Sequence, residues 1–518
     1  MTNQDKKLIN ACTSDDALEL FSDFHCEHPM DKQIVDKLKQ LGKLIRKEDD
    51  DYQIFRHREE IDSLWGMLLE KAIKCLRFYD GREPFQESNE EKIPKAYGLD
   101  ELKKYYKKYT EFEKVLYGAN KYYRDHVVHV LRTWLSGIEL LTKNSGKYLE
   151  RLSIHEKAFS LELNSVEKIS MWTIISLTHD LGYPLQKAKS IIDVTQDMVS
   201  TFVTNPDISA DFSFHGVQNY MNDFILRLMS SKMENRNNKK TIREESVSED
   251  KKVFVARLQS KYYFKFQKSL EHNSHGILST LIIYKLLTYF LESDYNINED
   301  YTFDEEECRQ FYIRREILRA IASHTCDDIY QMYMGSFSFL LRICDDTQEW
   351  GRKNISQLYV NSGQEHNLQD IILSFTDDPT QGTNKCTIKE TMNIPEDEKI
   401  NNILLRFREQ AMVYIMIFRD GQDTASRDFS FERNLSITTD DISLSVTLNI
   451  DKDRASTLKG EVKYSSTQSK NKRFGKSFFD NLYPGCESQI LDASGKEADK
   501  NKADEWDKGN FTIPLLNR

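Results

Sequence analysis

The chain has 518 residues, of which 39% are hydrophobic and 30% charged, and its formal net charge is -11. That length exceeds one ordinary core and predicts two or three domains of a soluble globular protein. The acidic balance excludes a general nucleic-acid binder, because phosphate backbones demand clustered basic surface; only a local basic groove is compatible with it.

Met1 to Asp16 is polar and lacks the apolar stretch of a signal peptide. Residues 1–97 read as an N-terminal helical region. Within it, Asp62–Tyr79 is an amphipathic helix with Asp62 as its N-cap. From Leu99 to about Arg352 the strong segments have helical period: Tyr122–Leu141, Ile169–Thr178, Gly276–Leu291 and Glu316–Ser323. Residues 98–355 are therefore expected to be one all-α domain. A flexible insertion interrupts it at about 233–252, where MENRNNKKTIREESVSEDKK carries many charges and almost no large apolar side chains. The most apolar run, Leu278–Leu291, has 14 residues and contains Lys285. A membrane span needs roughly 20 apolar residues, so this run predicts a buried core helix.

Composition shifts after about Asn354. Ile403–Phe418 has helical period, whereas Asp428–Ile437 and Ile442–Ile450 alternate apolar and polar residues and are rich in β-branched types. Residues 356–518 are expected to form an α+β accessory domain, with a polar basic loop at Ser465–Lys476. The fold class is thus mainly α, with a smaller C-terminal α+β domain. The eight cysteines are scattered with no C-x-x-C pair, which predicts reduced thiols in a cytoplasmic protein.

Several polar residues stand at the margins of apolar helices. His126 and His129, three apart, share a helix face in RDHVVHVLRTWL. His179 and Asp180 close the apolar helix WTIISLTHDLGYP, which Gly182 and Pro184 end. His275 opens the most apolar helix, His324 ends REILRAIASHT, and Asp345 lies in FLLRICDDTQEWGR. A buried ionised carboxylate is costly unless paired or metal-bound. Imidazoles and carboxylates brought inward by several helices are how helical bundles build metal sites. Mixed His/Asp ligation suits Mn, Fe, Co, Ni, Zn or Mg. Histidines outside this pattern, such as His215 and His272, read as hydrogen-bonded core residues.

The order H…HD…H…H…D, with HDLGYP after an apolar helix, resembles the HD-domain metal-dependent phosphohydrolase superfamily over roughly residues 115–352. The resemblance implies an all-helical HD core in which His129, His179, Asp180 and Asp345 are metal ligands. It implies one or two divalent ions, with His275 and His324 as the further ligands of dinuclear members, in which Asp180 would bridge both metals. Asp346 is the alternative to Asp345 in that register. His126, one turn before the first ligand, is placed with Asp180 among the catalytic residues. Arg124, Tyr183, Lys187 and Arg352, with Lys189, are candidates for binding substrate.

The expected activity is hydrolysis of a nucleotide phosphoester. A deoxynucleoside triphosphate is favoured, because acidic charge and a substantial accessory domain suit a small-nucleotide enzyme; HDLGYP resembles the HD-x-G-H-x-P motif of dNTP triphosphohydrolases, with Tyr183 in place of the usual histidine. Depletion of nucleotides in antiviral defence is one role that would follow. A cyclic (di)nucleotide phosphodiesterase, an HD-type single-strand nuclease and a non-catalytic nucleotide sensor are the alternatives. No membrane and no stable nucleic-acid partner are expected; a homo-oligomer is. The C-terminal domain carries no motif, and regulatory nucleotide binding, cover of the active site and assembly all stay open for it.

Overall fold

The computed structural model describes residues 3–20, 29–45, 57–81, 97–119, 123–154, 161–204, 217–236, 252–293, 295–297, 301–326, 329, 332, 334–348, 368–378, 382–394, 400–419, 429–439, 442–451, 456–464 and 511–515. The chain is mainly α, with a smaller α+β region at its C-terminal end. Helices α1 (Asn3–Cys12), α2 (Asp15–Glu19), α3 (Lys32–Leu44), α4 (Arg58–Tyr79), α5 (Leu99–Ala119), α6 (Val127–Arg151), α7 (Ser165–Thr178), α8 (Tyr183–Ser200) and α9 (Val217–Ser230) come first. Strands β1 (Ser231–Asn235) and β2 (Phe254–Leu258) precede α10 (Ser260–Glu271), α11 (His275–Leu286), α12 (Thr288–Leu291), α13 (Glu305–Ser323) and α14 (Phe337–Thr347). The C-terminal part contains β3 (Leu368–Asp378), β4 (Thr383–Asn393), α15 (Ile400–Arg419), β5 (Phe429–Thr438), β6 (Ile442–Ile450), β7 (Ser456–Tyr464) and β8 (Phe511–Leu515).

Helix α7 is the axis of the helical part. It is buried from Val166 to Thr178 and packs against α4, α6, α13 and α14. Its polar residues survive burial because their hydroxyls return to the helix's own carbonyls. Ser170, Thr173, Ser176 and Thr178 donate to the oxygens of Val166, Ile169, Trp172 and Ile174 at 2.6–2.8 Å. A capping box of Asn164 and Glu167 starts the helix. Gly137 lets α6 approach closely, since a Cβ there would lie 2.2 Å from the Trp172 ring. Trp65, Trp134 and Trp172 each find a hydrogen-bond acceptor in this packing, as buried indoles require.

The N-terminal helices belong to this same core. Helix α1 lies on α6, where Asp5 and Arg132, both fully buried, form a bidentate pair at 2.9 and 3.0 Å. The expected boundary near residue 97 is a change in composition and not a break in packing.

Asp62 is not an N-cap. The helix begins one turn earlier at Arg58, with His57 preceding it, because Arg58 is anchored by an ion pair to Glu113 of α5. Asp62 is left partly buried in the second turn, and one carboxylate oxygen has no hydrogen-bond partner among the described residues. Burial pushes its carboxyl up to about 6, with Arg58 opposing and Glu59 adding to the shift. A folded-state value above the unfolded one means that stability is fully present below about pH 4 and lost as pH rises through about 6. Asp62→Asn is therefore expected to raise the unfolding midpoint above pH 6 and to leave it unchanged near pH 4. An equal effect at both pH values would contradict this.

Two other expectations are corrected. The insertion at about 233–252 begins later than expected: Met233–Asn235 belong to β1, which pairs antiparallel with β2, and Met233 is buried. Five residues of alternation are too few to stand out from the charged sequence beside them; residues 237–251 lie outside the described residues. The apolar run at 278–291 is two helices. The chain turns extended at Leu287, where Thr288 N donates to Tyr97 O at 3.0 Å. Gly98 (φ 64°) makes room for this break, since a Cβ there would lie 1.7 Å from Leu286 O.

The six C-terminal strands form one sheet in chain order, antiparallel except for the parallel pair β4–β5, which α15 connects as a crossover. The sheet packs on the helical part through β3 and α6, with Tyr148 against Phe375 at 4.9 Å. Ser465–Lys476 lies outside the described residues. The six described cysteines form no disulfide. Among the described residues no helix is long and apolar enough to cross a membrane.

Candidate metal centre

Five helix termini meet around Asp180. The N-terminus of α6 brings His126 and His129, and two buried carboxylates hold it there. Glu113 accepts from Tyr123 Oη and His126 N, both at 2.8 Å, and from Val127 N at 3.3 Å. Asp125 accepts from Val128 N at 3.1 Å. Both carboxylates satisfy amides that the first helical turn leaves open. The C-terminus of α7 supplies His179 and Asp180, α11 opens on His275, and α13 closes on His324. Asp345 comes from the last turn of α14.

The HDLGYP turn is stapled to α11. Gly182 N donates to Ser279 Oγ at 2.8 Å, and that hydroxyl donates to His179 O at 2.6 Å. Glycine is required at 182 because a Cβ would lie 2.3 Å from His275 O. This close approach sets the distance between His275 and Asp180.

Each of the four inner histidines has its Nδ1 engaged. His179 Nδ1 donates to Ser176 O at 2.8 Å and His324 Nδ1 to Ile321 O at 2.5 Å. His275 Nδ1 meets Gln186 Oε1 at 2.5 Å, and His129 Nδ1 meets Gln348 Oε1. A carbonyl oxygen only accepts, so the proton sits on Nδ1 and the Nε2 lone pair is presented inward. Those four atoms surround the two carboxylates. His129 Nε2 lies 2.8 Å from Asp345 Oδ1 and 3.7 Å from Asp180 Oδ2. Asp180 Oδ1 faces the other three, at 3.3 Å from His275, 3.6 Å from His179 and 3.6 Å from His324. His275 and His324 present Nε2 to each other at 3.2 Å. His179 Nε2 is buried, has no hydrogen-bond partner among the described residues, and lies 3.8 Å from Asp345 Oδ1.

Lone pairs facing each other and facing carboxylates repel unless a cation or proton lies between them. Two overlapping triads, His129–His179–Asp345 and His179–Asp180–His324, have all ligand atoms within 4.8 Å of one another and can hold a metal ion. The electrostatics fit that use. Burial alone would raise Asp180 and Asp345, but the surrounding imidazoles outweigh it and hold both well below the usual carboxylate range. Burial lowers His179, yet Asp180 and Asp345 together push it up to about 9. Burial lowers His324. The two charged carboxylates favour a proton on His179, and a divalent cation would compete for the same place.

His126 points beside this cluster. Its ring stacks on Tyr183 at 3.7 Å, and Lys187 Nζ lies 5.3 Å from the Tyr183 ring centre. Tyr183 also meets His275 edge-on at 5.3 Å. His126, Tyr183 and Lys187 therefore form one wall next to the cluster. Arg124 lies ahead of α6 and is partly exposed. Arg352 and the side chain of Lys189 lie outside the described residues. Asp346 points away from the centre, towards Arg342 at 2.8 Å, so Asp345 is the carboxylate that faces the histidines.

Several contributors were not visible beforehand. Gln186 and Gln348 orient the His275 and His129 imidazoles. The spacing of three between Asp345 and Gln348 was a usable signal; the contact of Gln186 with His275 crosses between helices and left none. Tyr109 of α5 is the other. Tyr105, one turn before it, donates to Leu181 O at 2.7 Å, which lays this face of α5 over the HDLGYP turn. The Tyr109 hydroxyl is buried and has no hydrogen-bond partner among the described residues. Burial, with the charge of Asp180 adding to it, pushes its phenol well above the ordinary value, so it remains a donor.

No protein-family model, curated protein or solved structure matches this chain.

Proposed function

We propose that this chain is an HD-type phosphohydrolase that uses one or two divalent ions to hydrolyse a nucleotide phosphoester, with a deoxynucleoside triphosphate as the favoured substrate. The observation that carries the proposal is the set of four inward Nε2 atoms around the ionised Asp180 and Asp345. The histidine and carboxylate donors suit Mn, Fe, Co, Ni, Zn or Mg. An ion held there would make water a nucleophile near neutral pH and take up charge on a phosphoryl oxygen. The chain's own groups supply the rest. Asp180, with one oxygen towards His129 and the other towards His179, His275 and His324, would hold an ion together with those histidines. His126 stands beside the ligands to exchange a proton with the reacting oxygens. Lys187 and the donor hydroxyl of Tyr109 offer positive potential and a hydrogen bond to phosphate oxygens, and the Tyr183 ring offers a face for a base or sugar.

The four-histidine set also favours a second substrate class, cyclic (di)nucleotides, because it suits a two-ion geometry. A panel of dNTPs, NTPs, cyclic dinucleotides and single-stranded DNA, incubated with each divalent metal and resolved by product, separates the possibilities. Deoxynucleoside plus triphosphate is the expected outcome. A linearised cyclic dinucleotide would replace the dNTP assignment. Cleaved DNA with intact free nucleotides would identify a nuclease. No turnover with any metal would leave a nucleotide sensor.

A further inference from the structure

We infer that the C-terminal α+β module is part of the support of the metal centre, with Tyr414 acting through Asp346 and Arg342 as a positioning residue for Asp345 and His324. The inference rests on the assignment of those two residues as ligands.

Asp346 follows the ligand Asp345 directly and is turned the other way. Its Oδ2 accepts from Arg342 Nε at 2.8 Å and from Tyr414 Oη at 3.2 Å, and its backbone oxygen accepts from Gln410 Nε2 at 3.4 Å. Gln410 and Tyr414 are four apart, hence on one face of α15. Arg342 also donates Nη1 to His324 O at 3.0 Å. One guanidinium therefore ties the end of α13, which carries His324, to the last turn of α14, which carries Asp345. That last turn also carries Gln348, the partner of His129 Nδ1. Three of the six candidate ligands thus depend on a short segment whose outer side is held from α15.

The sheet holds α15 in turn. Tyr414 is fully buried and stacks on Phe431 of β5 at 4.8 Å, while Phe339 of α14 meets it edge-on at 6.5 Å. Arg433 lies 5.8 Å from the Tyr414 ring centre and pairs with Glu390 across β4 and β5, at 3.0 and 3.2 Å. This buried polar chain runs from the sheet to the residue beside a ligand. Two adjacent carboxylates have opposite tasks here. Arg342 and Tyr414 keep Asp346 occupied, so that Asp345 alone faces the histidines.

The test is Mn2+ binding by the full-length chain, stripped with chelator and titrated calorimetrically. Tyr414→Phe removes one hydroxyl and keeps the ring stack. It is expected to weaken Mn2+ binding about 10- to 100-fold, the usual cost of losing support around a ligand, while the metal-free melting temperature stays within a few degrees. Activity lost at low Mn2+ should return at saturating Mn2+, which a merely structural defect would not allow. Arg342→Lys keeps the charge but not the fork, and should weaken binding further because it also releases the His324 segment. Should Tyr414→Phe prove unstable, Asp346→Asn carries the same expectation. Wild-type Mn2+ affinity in Tyr414→Phe or in Asp346→Asn overturns the inference and leaves the ligand assignment standing. Absence of Mn2+ binding in the unaltered chain removes the metal centre itself, and the inference with it.

Discussion

Asp180→Asn is expected to abolish hydrolysis while the chain stays folded. Asparagine has the same shape, so the packing of the HDLGYP turn survives. What changes is charge and donor character. Asp180 is, among the described residues, the one carboxylate within 3.7 Å of all four histidine Nε2 atoms. An amide there removes one of the two negative charges at the centre and turns a donor NH2 towards atoms that need a cation. An ion acting on a phosphoryl group contributes several kcal/mol of transition-state stabilisation, at about 1.4 kcal/mol for each tenfold in rate, so a fall of about 10³ or more in kcat/KM is expected. The combined variant His179→Ala with Asp180→Ala should be equally inactive. Turnover measured beside far-ultraviolet circular dichroism checks this. Activity within tenfold of wild type in a folded variant would place the chemistry elsewhere.

The largest effect on stability is expected far from that carboxylate, at Asp5. Its bidentate partner Arg132 has no solvent exposure, and neither does Asp5 itself. Removing one member of a buried pair strands the other charge, at a cost of about 3–5 kcal/mol. Asp5→Ala should therefore shift the urea midpoint strongly downward. Arg132 lies three residues after His129 on α6, so the same change loosens the helix that presents the first ligand. Replacing both residues by apolar ones of similar volume, as in Asp5→Leu with Arg132→Met, should recover most of the loss, because no charge is then left buried. A loss below about 1 kcal/mol in the single variant would mean that water reaches Arg132.

The buried His/Asp cluster was legible because chemistry and periodicity coincide there. His129, His179, His275, His324 and Asp345 each stand at the end of an apolar helix, and the structure brings all of them around Asp180. The strands at Ile442–Ile450 and Phe429–Thr438 were legible for a similar reason, since alternation ran long enough to be read. What escaped was cross-chain. The pairing of Asp5 with Arg132 spans 127 positions, and nothing in either neighbourhood announces it. Glu113 is one acidic residue among several on a charged helix, and nothing beside it in the sequence signals that its carboxylate caps α6. Asp62 resembled an N-cap because an acidic residue stood before an apolar run; the Arg58–Glu113 pair decided the true start. Leu287 breaks the most apolar segment because Gly98 and Tyr97 reach it from another part of the chain, which periodicity cannot register.

The central claim is that four histidines and two aspartates together hold divalent metal. It is tested most directly by counting metal per chain after loading with Mn2+ and removing the free ion. One or two ions per wild-type chain, and none in the variant His179→Ala with Asp180→Ala, is the expected result. A wild-type chain that retains no ion, or a double variant that retains as much as wild type, would contradict it.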